Sequence, residues 1–78
     1  MPRFYFHIRA SEKIEADTEG TEFDSLECAV DDARLAAREI LAEKVLTGET
    51  IDDQAFEISS SDGAVLAIVP FHSVLKLH

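Results

Sequence analysis

From Asp24 to Gly48 the sequence carries a helical signal that no other stretch of the chain rivals. Leu26, Ala29, Val30, Ala33, Ala37, Ile40 and Leu41 recur at intervals of three and four and form one apolar stripe. Asp24 followed by Glu27 has the spacing of a capping box, and Phe23 and Cys28 occupy the positions of a hydrophobic staple. Gly48 is placed to end the helix in the left-handed conformation. Glu27, Asp31 and Asp32 near the start and Lys44 near the end complement the helix dipole. At 1.5 Å per residue, Ser25 to Thr47 spans roughly 34 Å. A helix of that length with one apolar stripe needs a sheet to lie on.

Strand signals flank it. In RFYFHIR, Arg3 to Arg9, alternation sends Phe4, Phe6 and Ile8 to one face and Arg3, Tyr5, His7 and Arg9 to the other. A weaker strand is expected over Lys13 to Asp17, broken by Thr18-Glu19-Gly20-Thr21, with charges that suit a sheet edge. After a polar link containing Asp52 and Asp53, Gln54–Ser60 and Ala64–Val69 read as a hairpin. Asp62-Gly63 suits a type I′ turn. That register places Phe56, Ile58 and Ser60 beside Val69, Ala67 and Val65 on one face, and Glu57 and Ser59 beside Ile68 and Leu66 on the other. The last strand is thus apolar on both faces, whereas one helix covers only one, so Leu66 and Ile68 call for a second cover. Pro70 ends the strand, and Phe71, Val74 and Leu75 have the spacing of a final helical turn that could supply that cover.

Seventy-eight residues, 46% apolar and 29% charged, suit one small folded domain spanning 1–78, without repeat or linker. A chain this small buries only about 60% of its unfolded surface, which makes self-association a reasonable expectation. The net charge of −9 opposes phosphate backbones and anionic lipid, so neither nucleic acid nor membrane is expected as a partner. With no signal-like or membrane-spanning stretch, a cytoplasmic location is expected by default. Cys28, the single cysteine, has no disulfide partner or zinc-like neighbour and reads as a small packing residue.

No catalytic, cofactor or metal motif stands out. Glu15, Asp17, Glu19 and Gly20 match the first positions of a calcium loop, but Leu26 stands where a bidentate Glu is required. The acidic run is better read as a solvated turn and helix start. His7, His72 and His78 follow no ligand spacing. His72 and Ser73 are adjacent, and adjacent side chains rarely face each other as a base and nucleophile must. The Arg3, Tyr5, His7 and Arg9 face most simply pairs with carboxylates such as Glu15 or Glu57 across strands. It is also the residue mixture that protein interfaces favour, whereas a single aromatic is thin support for single-stranded nucleic acid. Cys28, Leu35 and Leu46 lie opposite the helix stripe, as isolated exposed apolar residues do.

MPRFYFHIR at the start, D-x-E-G-T-E-F-D before the helix and Val69-Pro70-Phe71 near the end resemble a family of short bacterial proteins classified only as a domain of unknown function. The resemblance extends over nearly the whole chain. It implies a shared small fold and brings no catalytic residues, cofactor or substrate.

The expectation is therefore an α+β fold in the order β-β-α-β-β, with a mainly antiparallel sheet packed on one long helix. Phe4, Phe6, Ile8, Phe56, Ile58, Val65, Ala67 and Val69 are to meet Leu26, Val30, Ala33, Ala37, Ile40 and Leu41. The expected function is a non-enzymatic interaction module, a homodimer or the partner of another protein, with Arg3, Tyr5, His7, Arg9, Leu66 and Ile68 on its binding face. The alternative is a small enzyme or ligand-binding domain using His72, Ser73 and nearby carboxylates.

Overall fold

A computed structural model of the chain describes residues 1–10, 13–48 and 54–74. The elements run β1 (Arg3–Ala10), β2 (Lys13–Glu15), β3 (Thr21–Glu22), α1 (Leu26–Thr47), β4 (Ala55–Ser59), β5 (Val65–Pro70) and a 3₁₀ turn (Phe71–Val74). This is the expected α+β architecture, its order β-β-β-α-β-β because a two-residue strand precedes the helix. The sheet is antiparallel in the order β2-β1-β4-β5, and β3 shares the outer edge of β1 with β2. β2 is shorter than Lys13–Asp17, and Asp17 lies in the connection between β2 and β3.

The alternation of β1 and the stripe of α1 meet as their periodicities require. Phe4, Phe56, Ile58 and Val69 of the sheet and Ala29, Ala33, Ala37 and Leu41 of the helix are buried together with Phe71. The three alanines at intervals of four bring the helix backbone close to the sheet, which large side chains there would prevent. Phe71, Leu41 and Ile58 are the largest fully buried side chains, each worth about 1.5–3 kcal/mol of transfer free energy. Phe6, Ile8, Leu26, Val30, Ile40 and Ala67 pack around this centre. Phe23 closes one end over Phe6, the ring planes 7° apart and the centroids 5.7 Å apart. Phe71 packs on Phe56 at 4.9 Å, so the 3₁₀ turn covers the helix side of the sheet and leaves the other side open.

Several local expectations are corrected. Ser25, not Asp24, caps the helix: its backbone is extended and its hydroxyl accepts from the Cys28 N–H at 3.2 Å. Both residues are good caps, and the one nearer the first helical turn wins. Cys28 is exposed and is not a packing residue. Gly48 ends the helix at φ 76°, as expected.

In the hairpin, Gly63 alone among residues 60–64 has positive φ, which a type I′ turn would also require of Asp62. Instead the Gly63 N–H donates to Ser60 O and the Ser60 N–H to Ala64 O, both at 3.0 Å, closing a three-residue loop. The Asp62 carboxylate braces it, accepting from the Ser60 hydroxyl and the Ala64 N–H. That loop shifts the pairing by one residue, so Ser59 faces Val65, and a bulge before Ala67 restores the expected pairs Ile58–Ala67, Glu57–Ile68 and Phe56–Val69. Val65 consequently turns out of the core and is 52% exposed. The last strand continues through Pro70, paired with Ala55, and the Phe71 N–H donates to Gln54 O at 2.9 Å. Leu75, His78, Asp52 and Asp53 lie outside the described residues.

Candidate interaction face

The side of the sheet away from α1 is built in rows fixed by strand register. Tyr5, Ser59 and Val65 form one row, His7, Glu57 and Ile68 the next, and Arg9 and Ala55 a third that continues to Ile14 on β2. All six residues expected on the binding face lie on β1 and β5, with the middle strand β4 between them. On β5, Val65, Leu66 and Ile68 are 52%, 43% and 59% exposed. They make one apolar strip along the strand that ends the sheet.

The β1 side is polar and already neutralised. Arg3 reaches Glu22 at 3.5 Å and donates to Glu19 O at 2.9 Å. Arg9 donates to Glu57, the carboxylate expected as a cross-strand partner, while Glu15 receives neither arginine among the described residues. Glu57 is only 7% exposed, screened in its row by His7 and Ile68, so Arg9 supplies the opposite charge a buried carboxylate needs. Tyr5 and His7 stack with planes 11° apart and centroids 6.5 Å apart.

At the edge of this face sits a residue that belongs to no strand. β2 and β3 leave a gap on the outer edge of β1, and Asp17 fills it. Its Oδ2 accepts from Phe6 N at 3.1 Å, its Oδ1 from Glu19 N and Gly20 N at 3.2 and 3.1 Å, and its own N–H donates to His7 Nδ1 at 2.9 Å. Partial burial works to raise the carboxyl pKa, but the N–H donors of Phe6, Gly20 and Glu19 outweigh it and hold it below the ordinary value. Gly20 makes the turn possible: its φ is +71°, and a Cβ there would lie 2.9 Å from Phe4 O and from the Arg3 and Tyr5 side chains. The only advance signal was the D-x-E-G spacing, which placed a short acceptor three residues before a glycine.

The other singled-out residues are dispersed. His72 and Ser73 are exposed on the 3₁₀ turn, and the Ser73 hydroxyl donates to Pro70 O at 2.6 Å, away from an arrangement with His72 as base. The calcium-loop acids are not gathered: Asp17 spends its oxygens on backbone N–H groups, and no group of three or more His, Cys, Asp or Glu is placed to hold a metal ion among the described residues. Among those residues, too, no helix is long and apolar enough to cross a membrane.

Fold and face together define a compact α+β unit, a helix on one side of an antiparallel sheet and a mixed polar and apolar surface on the other. The sequence matches the family described as Domain of unknown function (DUF6894) over residues 3–72, and the chain belongs to that family. No curated protein and no solved structure matches it.

Proposed function

We propose that this chain is a non-enzymatic interaction module that self-associates through the open face of its sheet. The observation that carries the reading is the exposed strip of Val65, Leu66 and Ile68 on β5, on the side that neither α1 nor the 3₁₀ turn covers. Three neighbouring apolar residues on an end strand form the kind of patch that marks a contact surface. Tyr5, between Arg3 and Arg9, supplies the residue types that interfaces favour at their centres. A second copy suits the charge. Two chains of net −9 repel wherever their acids face, and this face is where the charges are already paired or absent. The same net charge disfavours nucleic acid and membranes as alternatives.

Sedimentation equilibrium at high micromolar concentration tests the reading. The wild-type chain is expected to show twice the mass of one chain, and L66D with I68D to show a single chain with unchanged circular dichroism. A wild type that stays monomeric over that range refutes self-association.

A further inference from the structure

A second surface, on the helix, has the makings of a ligand site. Of the described lysines and arginines, Arg3 and Arg9 are ion-paired; Lys13 and Lys44 make no ion pair among the described residues, and neither do Arg34 and Arg38, which make no side-chain hydrogen bond there either. That is unexpected in a chain with 16 acidic residues and only seven lysines and arginines. The two lie one helical turn apart, where like charges repel unless an anion sits between them. They flank a hollow of about 280 Å³ whose far wall is Ser73 and Val74 of the 3₁₀ turn. Since the Ser73 proton goes to Pro70 O, Arg34 and Arg38 supply the remaining donor side chains among the described residues that line the hollow.

Arg38 also borders the next hollow along the helix, about 400 Å³, which Leu41, Ala42, Val45 and Leu46 line with it among the described residues. Val45 and Leu46, at 63% and 86% exposed, present adjacent apolar side chains at the edge of this hollow. A cationic hollow and an apolar one thus lie side by side along the helix, with Arg38 lining both. Together they fall in the size range of small-ligand sites, roughly 300–1,000 Å³.

We infer that this tandem site binds a single anionic amphiphile, its carboxylate or phosphate head between Arg34 and Arg38 and its alkyl tail along Ala42, Val45 and Leu46. Planar guanidinium groups match both kinds of oxyanion through paired N–H donors, and the apolar hollow distinguishes an alkylated anion from a simple one. The occupant is a free molecule and not a bilayer, because a chain of net −9 is repelled by an anionic membrane while one head group fits locally.

The test is a ¹H–¹⁵N titration of the full chain with octanoate and, separately, octyl phosphate, both below micelle-forming concentration. Saturable shifts are expected at Arg34, Arg38, Ala42, Val45 and Leu46, from whichever head group is preferred. Acetate, inorganic phosphate and octanol, each lacking one half of the ligand, are expected not to saturate. R34Q with R38Q, and separately V45S with L46S, change exposed positions and are expected to keep the wild-type melting curve while weakening binding about tenfold. The proposal fails if neither amphiphile saturates, if the shifts centre on Val65, Leu66 and Ile68, or if the arginine variant binds like wild type. Tighter binding to phosphatidylglycerol vesicles than to either free amphiphile overturns the choice of a free molecule.

Discussion

The backbone N–H of Asp17 donates to Nδ1 of His7 at 2.9 Å, while the Asp17 carboxylate accepts from the backbone of Phe6, the residue before that histidine. One residue outside any strand thereby ties down both the edge of β1 and a ring on the open face. The bond requires an unprotonated Nδ1, so the neutral imidazole carries its proton on Nε2. Long-range ¹H–¹⁵N spectra are expected to show the Nε2–H tautomer for His7; an Nδ1–H pattern would show that the Asp17 N–H points elsewhere.

Asp17 also makes stability depend on acid in a calculable direction. Its folded-state pKa lies below the ordinary value of 3.8, so the contribution is fully present above that pH and is lost as pH falls through the lower folded-state value. D17A strands the N–H groups of Phe6, Glu19 and Gly20 and is expected to cost about 1–3 kcal/mol in urea unfolding at neutral pH. The variant's stability is also expected to fall less steeply than the wild type's below the ordinary carboxyl range. Parallel acid limbs for the two proteins would mean that the carboxylate is not held this way.

Gly20 and Gly63 both have positive φ, +71° and +89°, but only Gly20 is enclosed. At Gly63 a Cβ meets nothing within 4 Å, so G63A carries only the left-handed penalty of about 1–2 kcal/mol. At Gly20 the added carbon also lies 2.9 Å from the Phe4 carbonyl, and backbone cannot swing aside. G20A is therefore expected to lower the urea midpoint clearly more than G63A, and equal losses would contradict the close approach at the Asp17 turn.

The cap separates two neighbouring candidates. S25A removes the acceptor of the Cys28 N–H and is expected to cost about 1 kcal/mol, whereas D24A leaves that bond intact and is expected to cost less. The reverse order in thermal melts would restore the reading in which Asp24 caps the helix.

That case also shows where sequence periodicity carries information and where it stops. The stripe from Leu26 to Leu41 and the alternation of Phe4, Phe6 and Ile8 repeat often enough to locate α1 and the core face of β1. Ser25 against Asp24 is a choice between two chemically suitable residues, and a pattern cannot make it. β3 is two residues long and has no period to detect. A two-residue turn would put Val65 in the core; a three-residue loop and a bulge offset each other instead, so the pairs from Ile58–Ala67 to Phe56–Val69 keep the expected register while Val65 beside the turn is shifted. Arg3, Tyr5, His7 and Arg9 on β1 and Ile68 on β5 follow from alternation, whereas Leu66 sits in the bulge and Asp17 outside any strand. Its partners are at Phe6 and His7, and only the folded chain brings them near. The setting of Arg34 and Arg38 is likewise not legible in the sequence, because Ser73 and Val74, which line the hollow beside them, come near only in the folded chain.

Arg9 and Arg3 look equivalent in RFYFHIR, yet their partners differ. The Arg3–Glu22 pair has both side chains about half exposed, at 44% and 50%, and a pair of that kind contributes little, on the order of 0–1 kcal/mol. Glu57 is buried beneath Arg9, with its side chain only 9% exposed. R9M keeps most of the apolar stem but leaves that carboxylate without its donor, and is expected to cost about 1–3 kcal/mol. Adding E57Q removes the stranded charge, so the double variant is expected to regain part of the loss, whereas E22Q has little to restore in R3M. Urea unfolding of the two sets of variants, each read as a double-mutant cycle, measures both couplings. A coupling for Arg9–Glu57 no larger than that for Arg3–Glu22 would show that burial of Glu57 adds nothing to the pair.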